Sequence, residues 1–460
     1  MATDTLNARR ICFRLLCDVY FRDAYSNLAL TSYLEQHKEL PSQDKSFLGA
    51  IFYGVLTYTY TLDHFIDDSL SDKNKKIDSE CRVILRMGVW QLLFSHAVPE
   101  FAAVNTSVEI AKKELNPGAA RLVNALLRNI SSRRESLLSD YANSPFHIRY
   151  ALSKEISGLF IKWFGKKRAT EIADAFLLKR PISVRTNVLK TNRIDLIENL
   201  QKEQVTAEQG YFAPDAIRIV LGETAIHDLD TYKNGHFMVQ DEAPMMASVL
   251  AEPKPMQEIL DLCAAPGGKT TYLAELCADQ ASIIAVDINA SRTRLIDDNL
   301  SRLGIEHVTT LSSDVLSLQE TYPEWQSRFD VVLIDVPCSG LGLLGKKPDI
   351  RIRATYENIM SLLPMQREMI FKASEFVKPG GTLIYCTCTI NPMENQDIVE
   401  HFLCEKGDAF CAVDIGASMP EALLRHQDSR LEEMKSGRIT FYPDLDSCDG
   451  FFIAKMRRKL

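Results

Sequence analysis

Two thiol-bearing stretches carry the strongest chemical signal in this chain of 460 residues. The first, Phe329-Asp-Val-Val-Leu-Ile-Asp335-Val-Pro337-Cys338-Ser339-Gly340-Leu-Gly342, begins as an apolar run rich in β-branched residues and ends on a Pro/Gly break. That pattern predicts a buried strand running into a turn. It sets a carboxylate, Asp335, and a thiol, Cys338, at a strand's carboxyl end, the edge at which open α/β sheets bind ligands. A lone cysteine is more often a small buried apolar residue than a reactive one, so the second stretch matters. It reads Tyr385-Cys386-Thr387-Cys388-Thr389-Ile390-Asn391-Pro392-Met393-Glu394-Asn395. If the apolar segments before it are counted as strands one to five, Cys338 ends the fourth and this thiol-bearing end belongs to the fifth. The two strands are expected to be neighbours, with two cysteines facing one cleft. Side chains alternate along a strand, so Cys386 and Cys388 fall on the same side, and spacing alone does not choose between them. A metal held by this Cys-x-Cys pair and Cys338 lacks a fourth ligand at a zinc-like spacing, and no metal is expected.

A third stretch, Cys263-Ala264-Ala265-Pro266-Gly267-Gly268-Lys269-Thr270, follows the apolar Ile259-Leu-Asp-Leu. Its glycines permit a tight turn and close backbone approach, and the helix that follows offers free N–H groups, so it reads as a nucleotide-type loop. It fits neither the dinucleotide glycine pattern nor the NTP phosphate loop. Asp287 lies about 20 residues on, where an acid ending the second strand meets a ribose diol. Asp314 ends the third strand. Three acids, Asp287, Asp314 and Asp335, suit a ligand with a ribose, an adenine amine and a cationic group, and would repel a polyphosphate. S-adenosylmethionine meets that description. For any one of the three the local alternative is a helix cap or a turn.

The elements that position these groups follow from periodicity. Segments Ile259–Cys263, Ser282–Asp287, Val308–Asp314, Val331–Val336 and Gly381–Cys386 alternate with helical stretches, which predicts parallel α/β with right-handed crossovers. From about Asn7 to Arg134 apolar residues recur every three or four positions, as in Ile11–Tyr20, Leu48–Thr57, Val83–Leu93 and Arg121–Ile130. This predicts an all-α bundle broken at Asp72–Lys76, Pro99 and Asn116-Pro-Gly118. Between them, helices over Tyr150–Lys179 precede strands over Ile182–Leu189, Ile217–Leu221 and His236–Val239 and a helix over Arg193–Lys202, a small α+β module.

Composition sets the broad class. With 46% hydrophobic and 25% charged residues the chain is globular, and its length calls for about three domains. No run approaches the roughly 20 apolar residues of a membrane span, and the start, Met1-Ala-Thr-Asp-Thr-Leu, lacks the apolar core of a signal peptide, so a cytoplasmic location is expected. Eleven irregularly spaced cysteines point to reduced thiols. The net charge of −8 hides an asymmetry: residues 122–193 hold 14 Lys/Arg against 5 Asp/Glu, a balance of about +9. Phosphate attraction needs such clustering, and RNA contact is expected there; Asn124, Arg128, Arg133 and Arg134 offer a basic face, for each of which the plain alternative is a solvated surface. Lys346-Lys-Pro-Asp-Ile-Arg351, just after the Cys338 loop, is a candidate lining for an RNA channel.

Taken in order, Asp-Leu-Cys-Ala-Ala-Pro-Gly-Gly-Lys-Thr, Asp-Val-Pro-Cys-Ser-Gly-Leu-Gly and Thr-Cys-Thr-Ile-x-Pro-x-Glu-Asn resemble the NOP2/Sun family of RNA cytosine-5 methyltransferases. Val239-Gln240-Asp241-Glu242-Ala243 is similar to the family's approach to its catalytic domain, and the helical N-terminus resembles the RNA-binding domain of the antitermination factor NusB. The combination covers nearly the whole chain and is similar to the family's bacterial 16S rRNA enzymes. The resemblance implies three domains: an all-α NusB-like RNA-binding bundle at 1–140, a basic α+β domain at 141–250, and a Rossmann-like class I S-adenosylmethionine-dependent methyltransferase domain at 251–460. It implies methyl transfer from S-adenosylmethionine to carbon 5 of an unstacked or single-stranded cytosine in 16S rRNA, by a monomer acting without metal or membrane.

By the same resemblance Cys388 is the attacking nucleophile, selected over Cys386 by the family's Thr-Cys-Ser/Thr frame, with Thr389 standing where many relatives have Ser. Cys338 assists release as or near the base. Asp335 contacts the cofactor's methionine end or the protonated cytosine edge, and Lys269 stabilises charge. Cys263, Ala264, Ala265, Pro266, Gly267, Gly268 and Lys269, with Asp287, Asp314 and Asp335, hold the cofactor. The rivals are a tRNA cytosine-5 methyltransferase and a non-catalytic RNA-binding or ribosome-assembly factor that has kept the fold; the intact cysteine pair argues against the latter.

Overall fold

The computed structural model describes residues 2–74, 76–95, 97–222, 224–424 and 428–460, so the break expected at Asp72–Lys76 lies outside the described residues at Lys75. The chain divides into two compact units: residues 1–177 with 346–356, and residues 178–345 with 357–460.

The first unit is helical. Helices Ala2–Phe21, Ser42–Thr57, Ser79–Leu93 and Pro117–Ser132 turn their apolar faces inward around Leu16, Phe52, Ile84 and Leu127. Their starts are fixed locally. Asp78 accepts hydrogen bonds from the N–H groups of Glu80 and Cys81, and Asn116 accepts from Ala119 with Pro117 at the first helical position. Helix Lys154–Leu177 is interrupted at Gly165, whose φ of 73° is non-helical, which leaves Lys166 and Lys167 exposed at the break. Arg133 pairs with Asp68 and Arg134 donates to the Leu92 carbonyl, so of the expected basic face Arg128 stays exposed, bonded to Asn124.

The short segment Lys346–Tyr356 also belongs to this unit. Asp349 and Arg351 are 4% and 2% exposed. Ser26 Oγ donates to Asp349 at 2.5 Å, and Arg351 donates to the Tyr150 carbonyl at 2.5 Å. The expectation of an RNA-channel lining is therefore corrected for these two residues: their charges are committed inward, and Lys346 and Lys347 are the exposed members.

The second unit holds two sheets. In the smaller, β1 (Ile182–Thr186), β2 (Thr206–Gln209), β3 (Ala216–Val220) and β4 (Phe237–Val239) run antiparallel in the order β2-β3-β1-β4. β1 stops short of the expected Leu189 because Asn187 turns the chain. Its Oδ1 accepts from the Leu189 N–H, and its Nδ2 donates to the Gly235 and Leu303 carbonyls. β2 escaped the sequence reading because only Ala207 of its four residues is buried.

The larger sheet contains β5 (Glu258–Leu262), β6 (Ser282–Asp287), β7 (Val308–Ser312), β8 (Phe329–Asp335), β9 (Val377–Thr387), β10 (Phe410–Ala412), β11 (Arg438–Phe441) and β12 (Phe451–Arg458). Its order is β10-β12-β9-β8-β5-β6-β7, with β11 also on β12. The five expected strands are present and mutually parallel. The sheet as a whole is mixed, because β12 runs antiparallel to β9, and β10 and β11 antiparallel to β12. Chain order reverses at β5, which has β6 on one side and β8 on the other; ligands of such sheets bind at the strand ends around that point. Among the described residues no helix is long and apolar enough to cross a membrane.

Candidate active site

The two cysteine-bearing ends are neighbours, as expected. β8 and β9 pair in register with Asp335 opposite Cys386. Cys338 lies three residues beyond Asp335 and Cys388 one residue beyond β9, and their sulfurs are 3.2 Å apart. The loops approach closely enough that Gly342 donates to the Cys388 carbonyl at 3.1 Å. A Cβ at Gly342 would fall 1.9 Å from the Gly450 carbonyl oxygen, so only glycine fits there. The structure also separates the two candidates that spacing left equal. Cys386, inside β9, is fully buried against the Ile334 carbonyl and Asp335, and burial pushes its thiol up. Cys388, past the strand end, is partly open.

A buried carboxylate ties these loops together. Glu394 accepts from the Ser339 N–H at 2.8 Å, the Ser339 hydroxyl, Gln366 Nε2 at 2.9 Å and Asn391 Nδ2 at 2.8 Å. Gln366 also donates to the Pro337 carbonyl, and Asn395 joins Thr387 Oγ1 to the Thr389 carbonyl. Within this frame the hydrogen bond to Cys388 raises the Cys338 thiol above the ordinary cysteine range, assisted by burial and by the negative charges of Glu394 and Asp335.

The glycine loop forms the other side. Gly267 has φ 95°, and a Cβ there would meet Ile296 Cγ2 at 3.0 Å. The loop's backbone is pinned at Ala264, which donates to the Val286 carbonyl, and at Pro266, whose carbonyl accepts from Asn299. Cys263 sits at the start of this turn with φ 58°, its thiol raised by burial, which argues for a packing part in the loop. Asp287 is 2% exposed and accepts from the N–H groups of Ala265 and Asn289, with Arg292 3.6 Å away. Ile288, beside it, is 67% exposed. Lys269 spans to Asp335 at 2.6 Å, and although burial opposes its charge, Asp335 holds it above the ordinary lysine range. Beneath them Asp261 is fully buried, accepts from Thr270 Oγ1 and is raised to about 7 by burial. Asp314 stands apart from this cluster: it is exposed, and its carboxylate caps the turn at Leu316.

Lys269, Asp335, Cys338 and Cys388 thus gather at the ends of β8 and β9, and the 263–268 loop links them to Asp287. An acid at a strand end beside an exposed aliphatic suits a ribose carrying a flat base, and the carboxylate-rich floor suits a sulfonium, so the residues fit S-adenosylmethionine. The sequence reading gave no part to Asp261, Glu394, Gln366, Arg292 or Arg185. Of these Asp261, which opens the quoted Asp-Leu-Cys-Ala-Ala-Pro-Gly-Gly-Lys-Thr run, and Glu394, inside Asn-Pro-Met-Glu-Asn, had a local signal. Among the described residues no group of three or more His, Cys, Asp or Glu is placed to hold a metal ion.

A sheet of this order, with its glycine turn after the first parallel strand and an acid ending the second, defines a Rossmann-like S-adenosylmethionine-dependent methyltransferase. Residues 248–457 match the family described as 16S rRNA methyltransferase RsmB/F, residues 6–132 the NusB family, and residues 159–223 the ferredoxin-like domain of RsmF/B-like methyltransferases. A probable ribosomal RNA small subunit methyltransferase B from Synechocystis is 32% identical, over 98% of this chain and all of that one. A human 28S rRNA cytosine-C5-methyltransferase is 30% identical over 72% of this chain and 42% of its own. A solved methyltransferase homologue from Pyrococcus horikoshii has 29% identity and a TM-score of 0.56 over 68% of this chain and 97% of its own. The chain belongs to the RsmB/F family of methyltransferases, within the NOP2/Sun group its motifs resemble.

Proposed function

We propose that this protein methylates carbon 5 of an unstacked cytosine in 16S rRNA through a transient bond between Cys388 and carbon 6 of the base. The observation that carries this reading is the thiol pair: Cys388 is accessible and 3.2 Å from Cys338, while Cys386 is sealed. The relatives' names, one a small-subunit rRNA methyltransferase and one an rRNA cytosine-C5-methyltransferase, support the substrate class.

Carbon 5 of cytosine is a weak nucleophile, and addition of a thiolate to carbon 6 makes it enamine-like. When bound, S-adenosylmethionine supplies the sulfonium methyl that this carbon takes. The Cys338 and Cys388 sulfurs share a hydrogen bond in which either can be the donor, and that bond together with burial keeps the Cys338 thiol protonated, which favours Cys388 as the attacking atom. After methyl transfer Cys338 gives its proton to solvent, and its thiolate takes the carbon 5 proton as the bond from carbon 6 to sulfur breaks and Cys388 leaves as a thiolate. Asp335 holds the protonated cytosine edge or the cofactor's amino end, and Lys269 holds Asp335 in place and balances charge. Cys263 to Lys269, Asp287 and Asp335 seat the cofactor, with Asp314 at the outer rim of that seat.

On this reading a NusB-like RNA-binding bundle spans 1–140, a basic α+β domain 141–250 and the catalytic domain 251–460, and the protein works as a cytoplasmic monomer. Bisulfite mapping of RNA from a deletion strain tests it. Loss of one 5-methylcytosine in 16S rRNA is expected; loss confined to tRNA, or no loss, contradicts it.

A further inference from the structure

Arg185 ends a polar chain that begins outside the methyltransferase sheet and finishes on the cofactor loop. It lies on β1 of the small antiparallel sheet and has no exposed surface. Its side chain reaches the helix Gly268–Leu276 that follows the glycine turn. Nε donates to Glu275 Oε2 at 3.0 Å and Nη2 to Glu275 Oε1 at 2.7 Å, a bidentate pair. Nη2 also donates to Thr271 Oγ1 at 2.9 Å, and Nη1 to the Gly268 carbonyl at 2.5 Å and to Gln240 Oε1. All five guanidinium N–H groups are therefore used. The guanidinium also stacks over Tyr272, 4.7 Å from the ring centre. Thr271 in turn donates to the Gly267 carbonyl at 2.8 Å.

One planar group thus holds the carbonyl of Gly268, a side chain one turn later and, through Thr271, the carbonyl of Gly267. The next residue is Lys269, which spans to Asp335. Ser248, also outside the sheet, reaches the same turn by donating to the Lys269 carbonyl at 3.2 Å, but it touches neither glycine.

We propose that Arg185 is a positioning residue for methyl-donor binding, fixing the Gly267–Lys269 turn from the small sheet. The small sheet then has a second task besides any RNA contact: it holds the cofactor loop in its binding shape. This rests on the donor being bound at that loop, as the functional reading has it.

The test uses the full chain. In Arg185→Met/Glu275→Met both buried charges are removed together, so no unpaired ion remains to unfold the protein. Calorimetric titration with S-adenosylmethionine is expected to show a dissociation constant raised about tenfold, the size of a lost charge-assisted hydrogen bond. RNA affinity by filter binding and the cooperativity of melting should stay as in the wild type. Arg185→Lys keeps the charge opposite Glu275 but cannot also reach Gly268, so it should weaken donor binding by a smaller factor and speed amide exchange at residues 265–270. Unchanged donor affinity in a folded double variant overturns the proposal. If the double variant does not fold, Arg185→Lys decides: unchanged affinity and unchanged exchange overturn it. A wild-type protein that fails to bind the donor would instead overturn the functional reading.

Discussion

The two sides of the site are fastened in opposite ways. On the thiol side the cysteine loops are held by Glu394, Asn391, Asn395, Ser339 and Thr389, most of them within a few positions of a cysteine. On the cofactor side the glycine turn is held by Arg185, 83 residues away from Gly268 and on another sheet. A locally fastened loop can be read from its motif, and a remotely fastened one cannot. The two sides should also fail differently: damage to the thiol frame should slow chemistry without changing donor affinity, and damage at Arg185 should do the reverse.

The sharpest way to break this contrast is within the thiol side itself. Cys388→Ala is expected to lower methyl transfer by about 10⁴-fold or more, since the attacking atom is gone, whereas Cys386→Ala should remain within about tenfold of wild type. Radiolabel transfer to undermethylated 30S particles measures both, and equal losses would erase the distinction between the sealed and the open thiol. Glu394→Gln comes next. It keeps the shape but removes an acceptor for the Ser339 and Asn391 donors, and a shift of the Cys338 loop by about 1 Å should reduce kcat about 10²-fold while donor affinity stays within about twofold. A matching loss of donor affinity would mean the two sides are not fastened independently.

Asp261, beneath both sides, gives a pH signature. Burial raises its carboxyl to about 7, above its ordinary 3.8. A folded-state value raised this way means that stability is full below about pH 4 and is lost as pH rises through about 7, on the order of a few kcal/mol. Asp261→Asn has no such group, so urea unfolding of the cofactor-free proteins should show the variant gaining on the wild type between pH 5 and pH 8. A constant difference across that range would contradict the burial argument. The smallest effect is expected far from the site: Arg121→Ala/Arg128→Ala, two exposed cations of the helical unit, should weaken RNA binding a fewfold and reduce its salt dependence by about one to two units of slope.

Much of the catalytic half was legible because β5, β6, β8 and β9 are apolar runs that end on an Asp or one residue before a Cys, and a strand end is where chemistry is placed. The expected neighbouring of Cys338 and Cys388 is what the register of β8 and β9 delivers. The mixed character of the sheet was not legible from those strands, because its reversal lies in β10, β11 and β12, whose pairing is set by tertiary contact. Asp314 lies just past β7, and its carboxylate caps the turn at Leu316, the local alternative its position also allowed. Arg351 shows the limit of reasoning from position, since a basic run after the Cys338 loop reads as solvent-facing while its arginine is 2% exposed. Arg185 had no signal at all, because one arginine in an alternating strand does not reveal what its side chain spans.

The central claim is that Cys388 attacks and Cys338 releases. Incubating the Cys338→Ala and Cys388→Ala proteins with substrate RNA and S-adenosylmethionine, then separating on a denaturing gel, tests it most directly. Cys338→Ala is expected to accumulate a covalent protein–RNA band and Cys388→Ala to show none. The reverse pattern, or a band in neither, would contradict the account.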